Sequence, residues 1–199
     1  MLTVGITGSF GTGKSTVAEF FAAYGAKIIN ADAINHALIR RGGACFKKII
    51  SRFGKEVLTK GDLDRRKLAK IVFSNPRKLE TLCRIVYPAI VREIKRRRSH
   101  YRRTQKNSII IIDAPLLIEA GLEAICDYVV VVKASPKQQI ERLKARMDIE
   151  EKEIVKRIKA QMPLSEKLKA ADIIIDNSGP LTQTKKEVKE IWQKLQKKK

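Results

Sequence analysis

Residues 8 to 16 read Gly-Ser-Phe-Gly-Thr-Gly-Lys-Ser-Thr and directly follow the apolar run Leu2–Thr7. Gly8, four intervening residues and then Gly13-Lys14-Ser15 fit the pattern G-x-x-x-x-G-K-[ST] of a phosphate-binding loop, or P-loop. Each residue type has a use there. Glycines let successive backbone N–H groups turn inward and approach phosphate oxygens closely. The Lys14 ammonium can reach the β- and γ-phosphates, and the Ser15 hydroxyl can ligate Mg²⁺. Gly11, Thr12, Gly13, Lys14, Ser15 and Thr16 are therefore the expected nucleotide-binding residues. Val17, Ala18, Phe20, Phe21 and Tyr24 then fall on one helical face, with Gly25 at its end. That helix adds its positive dipole end and unpaired N–H groups to the loop. A nucleoside triphosphate is the expected ligand.

A nucleotide site of this kind needs carboxylates. Ser108-Ile-Ile-Ile-Ile-Asp113 is an apolar run ending in an acid, which suits a Mg²⁺ ligand acting beside Ser15. Asp32 follows a second apolar run, Ile28-Ile29-Asn30-Ala31. In parallel sheets ligands gather beyond the carboxyl ends of strands. Asp32 is thus a candidate to accept the proton of an attacking hydroxyl, with an N-cap for the helix starting at Ala33 as the structural alternative. Arg142 and Arg146 are four apart on a predicted helix and share one face. Arg157 and Gln161 repeat that spacing on the next helix. Like charges so placed repel unless anions lie between them, and a lid closing over a triphosphate supplies those anions.

The elements that must position these groups alternate. Leu2–Thr7, Lys27–Asn30, Ser108–Ile112, Tyr128–Val132 and Ile173–Ile175 read as strands buried on both faces. Helical patterns between them predict an α/β layered fold of βαβ units. From about Ala33 to Lys106 no strand is expected. Phe46, Ile49, Ile50 and Phe53, then Leu68, Ala69, Ile71 and Val72, fall at helical spacing, and Asn75-Pro76 interrupts. Connections of that length usually carry function, so 33–106 is expected to be a helical acceptor-binding insertion. Residues 1–32, 107–135 and 164–199 would form the nucleotide-binding core. Residues 136–163 would form the lid, opened by a capping box at Ser135-Pro136-Lys137-Gln138. Trp192 joins Val188, Ile191 and Leu195 in a core stripe.

Bulk properties narrow the classes. The 199 residues allow one good core with an insertion. No apolar run approaches the ~20 residues of a membrane span, and the N-terminus lacks signal-peptide features. Cys45, Cys83 and Cys126 are scattered without metal or redox spacing. Reduced thiols in a cytoplasmic protein are the expectation. The net charge of +21 is concentrated in residues 92–106, with eight Lys/Arg against one acid, and in the lysine-rich tail from Lys185. A solvated helix face and a frayed end account for this more simply than nucleic acid, since Tyr101 is the single interleaved aromatic and no nucleic-acid motif is present.

The ordered set of motifs resembles one family. Gly5-Ile6-Thr7-Gly8, Ala31-Asp32, Leu63-Asp64-Arg65-Arg66-Lys67-Leu68-Ala69, Val72-Phe73-Ser74-Asn75-Pro76, Pro115-Leu116-Leu117-Ile118-Glu119, Arg142 with Arg146, Arg157-Ile158 with Gln161, and Ala171-Asp172 through Asp176-Asn177 look like dephospho-CoA kinases along nearly the whole chain. The resemblance implies a P-loop NTPase three-layer sandwich with a five-stranded parallel sheet, a helical insertion and lid helices. It implies ATP and Mg²⁺, with transfer of the γ-phosphoryl group to the ribose 3′-hydroxyl of dephospho-CoA. It makes Asp32, Lys14 and Arg142 catalytic. Arg65 would help bind the CoA moiety, Arg157 and Gln161 would stand on the substrate side, and Arg146 and Asn177 would lie near ATP. The chain departs from the family pattern at Asn30, where the family usually has Asp, and at Tyr87, where it tends to have His.

Two other readings compete. A nucleoside monophosphate kinase shares sheet and lid but phosphorylates a nucleotide. A P-loop nucleic-acid-binding protein would explain the charge and predicts salt-sensitive RNA or DNA binding. The expected partners remain ATP and dephospho-CoA, with no membrane, and a monomer or small homo-oligomer.

Overall fold

A computed structural model describes residues 1–147 and 149–198. Two compact units emerge. Met1–Asn30 with Arg97–Lys199 forms one, and Ala31–Arg96 the other. Residues 136–163, expected as a lid, belong to the first.

The first unit is built on a sheet. Strands β1 (Leu2–Thr7) and β2 (Lys27–Asn30) flank helix α1 (Lys14–Ala23). Strands β5 (Ile109–Asp113), β6 (Tyr128–Lys133) and β7 (Ile173–Asp176) complete it in the spatial order β2-β5-β1-β6-β7. Every pairing is parallel. The expected five strands are all present. β5 begins one residue later than read and includes Asp113, because Asp113 pairs in register with Ile6 on one side and Asn30 on the other. Its residues are buried throughout, as a central parallel strand requires.

One sheet face sends Val4, Ile6, Ile109, Ile111, Val130 and Val132 into a core with Val17 and Phe21 of α1 and Val188, Ile191 and Trp192 of helix α9 (Leu181–Lys197). Residues of the opposite pleat, Ile110, Ile112, Val129 and Val131, are buried too. Each fully buried large aliphatic side chain contributes roughly 1.5–3 kcal/mol, so both faces hold the sheet rigid under the site. The expected helical region 136–161 holds two helices, α6 (Pro136–Arg146) and α7 (Glu151–Lys159), followed by α8 (Leu164–Lys169). Ser135 caps α6 with the predicted capping box.

The second unit is helical. α2 (Ala31–Ile39), α3 (Phe46–Phe53), α4 (Arg65–Phe73) and most of α5 (Pro76–Thr104) surround Ile39, Ile49, Phe53, Val57, Leu68 and Val72. The sequence gives no sign of its two-residue strands, β3 (Leu58–Thr59) and β4 (Asp62–Leu63), which pair antiparallel. They are too short for alternation to register. Lys60 and Gly61 both take positive φ at their turn, the hand that matches strand twist in a tight hairpin. Pro88 lies inside α5 rather than ending it.

Among the described residues no helix is long and apolar enough to cross a membrane.

Candidate active site

The loop between β1 and α1 is shaped by its glycines. Gly13 has φ +85°, and a side chain there would collide with Asn177 Nδ2. A Cβ on Gly8 would meet the Val132 carbonyl and the Thr12 hydroxyl. Thr12, fully buried, turns its hydroxyl to the Ser9 carbonyl at 2.9 Å and pins the bend. Its side chain thus braces the loop from inside. Ser15 is exposed on the first turn of α1, and Thr16 is half-buried beside it. The loop N–H groups and the α1 N-terminus form the concavity that anions favour.

Three charged groups converge on that concavity. Lys14, almost buried, donates to Asp113 Oδ1. Asp113 is buried and accepts a second bond on Oδ2 from Asn30 Nδ2 at 2.8 Å. The position where the family usually carries Asp thus holds an amide that donates to the neighbouring carboxylate. Arg142 is held by Nη2, which donates to the Asn177 carbonyl at 2.9 Å. Its Nη1 is buried without a hydrogen-bond partner and lies 3.7 Å from where a Gly13 Cβ would stand. A buried cationic N–H without an acceptor is costly. An anion cradled by the loop would offset that cost.

Asn177, expected near the nucleotide, lies at the end of β7 beside the loop. Its side chain is buried, with Nδ2 donating to the Thr12 carbonyl at 2.8 Å and Oδ1 accepting from Thr184 at 2.9 Å. It braces the P-loop from behind, at the end of β7. Gln161 also reaches the loop, accepting the Phe10 N–H at 3.0 Å. Arg157 pairs through Nε with Glu153 at 3.1 Å. Arg146 ends α6, exposed and one turn beyond Arg142.

In the helical unit, Asp32 is exposed in the first turn of α2. It is within the helix, so the N-cap alternative is set aside. One turn on, the exposed His36 ring approaches Arg65 Nη1 at 2.8 Å through Nε2. The i, i+4 spacing puts Asp32 and His36 on one helix face, so Asp32 shares its face with the residue that contacts Arg65, a histidine the sequence reading missed. Asp64 caps α4, whose first residue is Arg65, accepting from the Arg66 and Lys67 N–H groups at 2.9 and 3.1 Å.

Burial pushes the Cys126 thiol up to about 12; the Arg98 charge opposes that shift, and Asp127 and Glu123 add to it. Such a thiol is a poor nucleophile at neutral pH.

The family model for dephospho-CoA kinase matches residues 2–183. The chain belongs to the dephospho-CoA kinase family. It is 42% identical over 196 residues to the dephospho-CoA kinase of Syntrophotalea carbinolica, spanning 98% of this chain and 92% of the relative. Among solved structures, a Thermus thermophilus protein superposes with TM-score 0.79 at 31% identity, over 98% of this chain and 97% of that one. The dephospho-CoA kinase of Campylobacter jejuni does so with TM-score 0.72 at 28% identity, over the same shares of both chains. Dephospho-CoA kinases are ATP-dependent phosphotransferases, and this chain is one of them.

Proposed function

We propose that the protein transfers the γ-phosphoryl group of ATP to the ribose 3′-hydroxyl of dephospho-CoA in one direct, in-line step, giving CoA and ADP. The observation that carries the donor assignment is Arg142 Nη1, buried, unpaired and beside Gly13. The loop N–H groups and Lys14 hold the β- and γ-phosphates, Lys14 exchanging its bond to Asp113 for phosphate oxygens. Arg142 gains most as charge spreads over the transferring oxygens, which is where donors lower the barrier. Arg146 closes over the nucleotide from residues 136–163, Arg157 stands on the substrate side, and exclusion of water keeps the enzyme from acting as an ATPase. Asp32 takes the 3′-hydroxyl proton as that oxygen attacks, and Arg65 binds an anionic group of the CoA moiety. The helical unit Ala31–Arg96 is the acceptor-binding unit.

The donor set near the loop suits Mg²⁺. Ser15 offers a hydroxyl and Asp113 a carboxylate, both hard oxygen donors. No cluster of three or more His, Cys, Asp or Glu side chains that would hold a metal by itself occurs among the described residues, consistent with an ion that arrives with the triphosphate. When bound it would supply charge neutralisation between the phosphates. The protein acts in the cytoplasm as a monomer or small homo-oligomer, and nucleic acid is not its partner.

The test is one acceptor panel. With ATP and Mg²⁺, dephospho-CoA should be converted to CoA, while AMP, UMP and CMP are inert. Phosphorylation of a nucleoside monophosphate with dephospho-CoA untouched would overturn the reading.

A further inference from the structure

Lys167 is a charged residue that the transfer chemistry above does not use, and it is wholly buried. Its Nζ donates to the Pro115 carbonyl at 2.5 Å and to the Glu119 carboxylate, with Oε1 at 2.9 Å and Oε2 at 3.2 Å. Burial pushes its ammonium below the usual lysine range. Glu119 opposes that shift, and the charge of Lys14 adds to it. Lys167 therefore sits within electrostatic reach of the phosphate-binding lysine.

The partners of Lys167 lead to the loop. The Pro115 carbonyl also accepts from the Thr7 hydroxyl at 3.1 Å, at the end of the strand that feeds the P-loop. Glu119 accepts the Met162 N–H at 3.1 Å. The preceding residue is Gln161, whose side chain accepts the Phe10 N–H of the loop. An ammonium and a carboxylate taken out of water cost several kcal/mol, and apolar residues of similar volume often hold a fold as well or better. What an ion pair offers that a greasy contact does not is direction. It fixes the Glu119 oxygens, these fix the Met162 backbone, and the Gln161 side chain is aimed as a result.

We propose that the Lys167–Glu119 pair, its ammonium buried and its carboxylate partly so, is a positioning device for the nucleotide loop, holding the backbone at 161–162 so that Gln161 keeps Phe10, and with it the P-loop, in its phosphate-binding shape. This rests on the P-loop being the nucleotide site. Neither residue touches substrate. Loss of the pair loosens the loop and weakens donor binding while leaving acceptor binding alone.

The test titrates the full-length protein with Mg²⁺ and the non-hydrolysable analogue AMP-PNP in a calorimeter, alongside thermal melts and Michaelis constants for both substrates. Glu119→Leu and Gln161→Leu should each weaken AMP-PNP binding about 10-fold, within the usual span of coupling between sites. The double variant should be no weaker than the worse single, because both act through one contact to Phe10. Glu119→Gln, which keeps an acceptor for Met162 but loses the charge, should lie between wild type and Glu119→Leu. It also serves if the leucine variant fails to fold. Lys167→Arg should not restore the geometry fully, since the guanidinium fork differs in shape from an ammonium. The Michaelis constant for dephospho-CoA should stay within about twofold in the Glu119 and Lys167 variants. A merely structural pair would lower melting temperature and active fraction with nucleotide affinity unchanged. That result, or additive losses in the double variant, overturns the proposal. Wild-type protein that fails to bind AMP-PNP would instead overturn the nucleotide reading itself.

Discussion

The two units prepare their functional residues differently. In the sheet unit Lys14, Asp113, Asn30, Arg142, Asn177 and Gln161 are bonded to one another or to the loop backbone, mostly out of water. In the helical unit Asp32, His36 and Arg65 are exposed, and the His36–Arg65 contact is a surface one. The sheet unit holds these residues in a bonded frame around the loop. The helical unit presents its candidate residues from the surface. Preorganised donors act at no reorganisation cost during reaction, whereas exposed pairs contribute little until water is excluded. Substitutions in the sheet unit should therefore act on the donor and on the chemical step. Those in the helical unit should separate by role, the base acting on turnover and the binding residue on acceptor affinity.

The sharpest way to break that contrast is Lys14→Ala. It removes a buried cation at the transferring phosphate and leaves Asp113 without its charge partner. We expect kcat/KM to fall by about 10³-fold, the upper range for losing one transition-state donor. Unchanged kinetics would reject the loop as the donor site. Asp32→Asn comes next. Loss of general-base assistance should cut kcat by about 10²-fold with ATP affinity unchanged. A nearly normal turnover number would remove Asp32 from the proton transfer. Arg65→Ala should raise the Michaelis constant for dephospho-CoA about 10-fold, as expected for one charge-assisted hydrogen bond, with that for ATP unmoved. A change in the ATP constant instead would assign Arg65 to the wrong side of the reaction.

Legibility followed the same division. The loop was readable because its chemistry demands rare residues at fixed spacing, and the five strands because runs such as Ile109–Ile112 are apolar on both pleats. The capping box at Ser135 is local and was equally plain. What escaped depends on which way a side chain turns. Nothing local says that Asn177 faces inward to Thr12 and Thr184, or that Lys167 and Glu119 find each other across 48 residues of chain. His36 carried a faint signal, its i, i+4 spacing from Asp32. The β3–β4 hairpin carried none, having two residues per strand and Lys-Gly in place of a common turn pair.

Asn177 tests whether bracing within the sheet unit matters as much as its contacts suggest. In Asn177→Ala the Thr12 carbonyl and the Thr184 hydroxyl each lose a buried partner. Unsatisfied groups of this kind cost about 1–3 kcal/mol each, so a lower denaturation midpoint should accompany weaker ATP binding. A full loss of stability with ATP affinity intact would show that the loop keeps its shape without the brace.

Acid should reach both units, each through one carboxylate, and this is the smallest effect. Asp64 titrates below its usual range because the Lys67 backbone N–H, then the Thr59 hydroxyl, favour its ionised form. Asp176 does so through Ser178 and then Lys133, whose Nζ lies 3.0 Å away. A carboxylate whose folded value is depressed contributes stability that is fully present above its unfolded value, near pH 4, and lost as pH falls through the folded value. Both groups are largely exposed, so solvent screens the effect. Amide exchange followed from about pH 5 downward should, after correction for intrinsic rates, show α4 and the end of β7 losing protection over that interval. Asp64→Asn should flatten the pH dependence in α4 and leave β7 as it was, and Asp176→Asn the reverse. If either substitution flattened both, the two units would share one acid transition, and the contrast between a bonded donor frame and an exposed acceptor side would have to be drawn at the level of single side chains rather than of units.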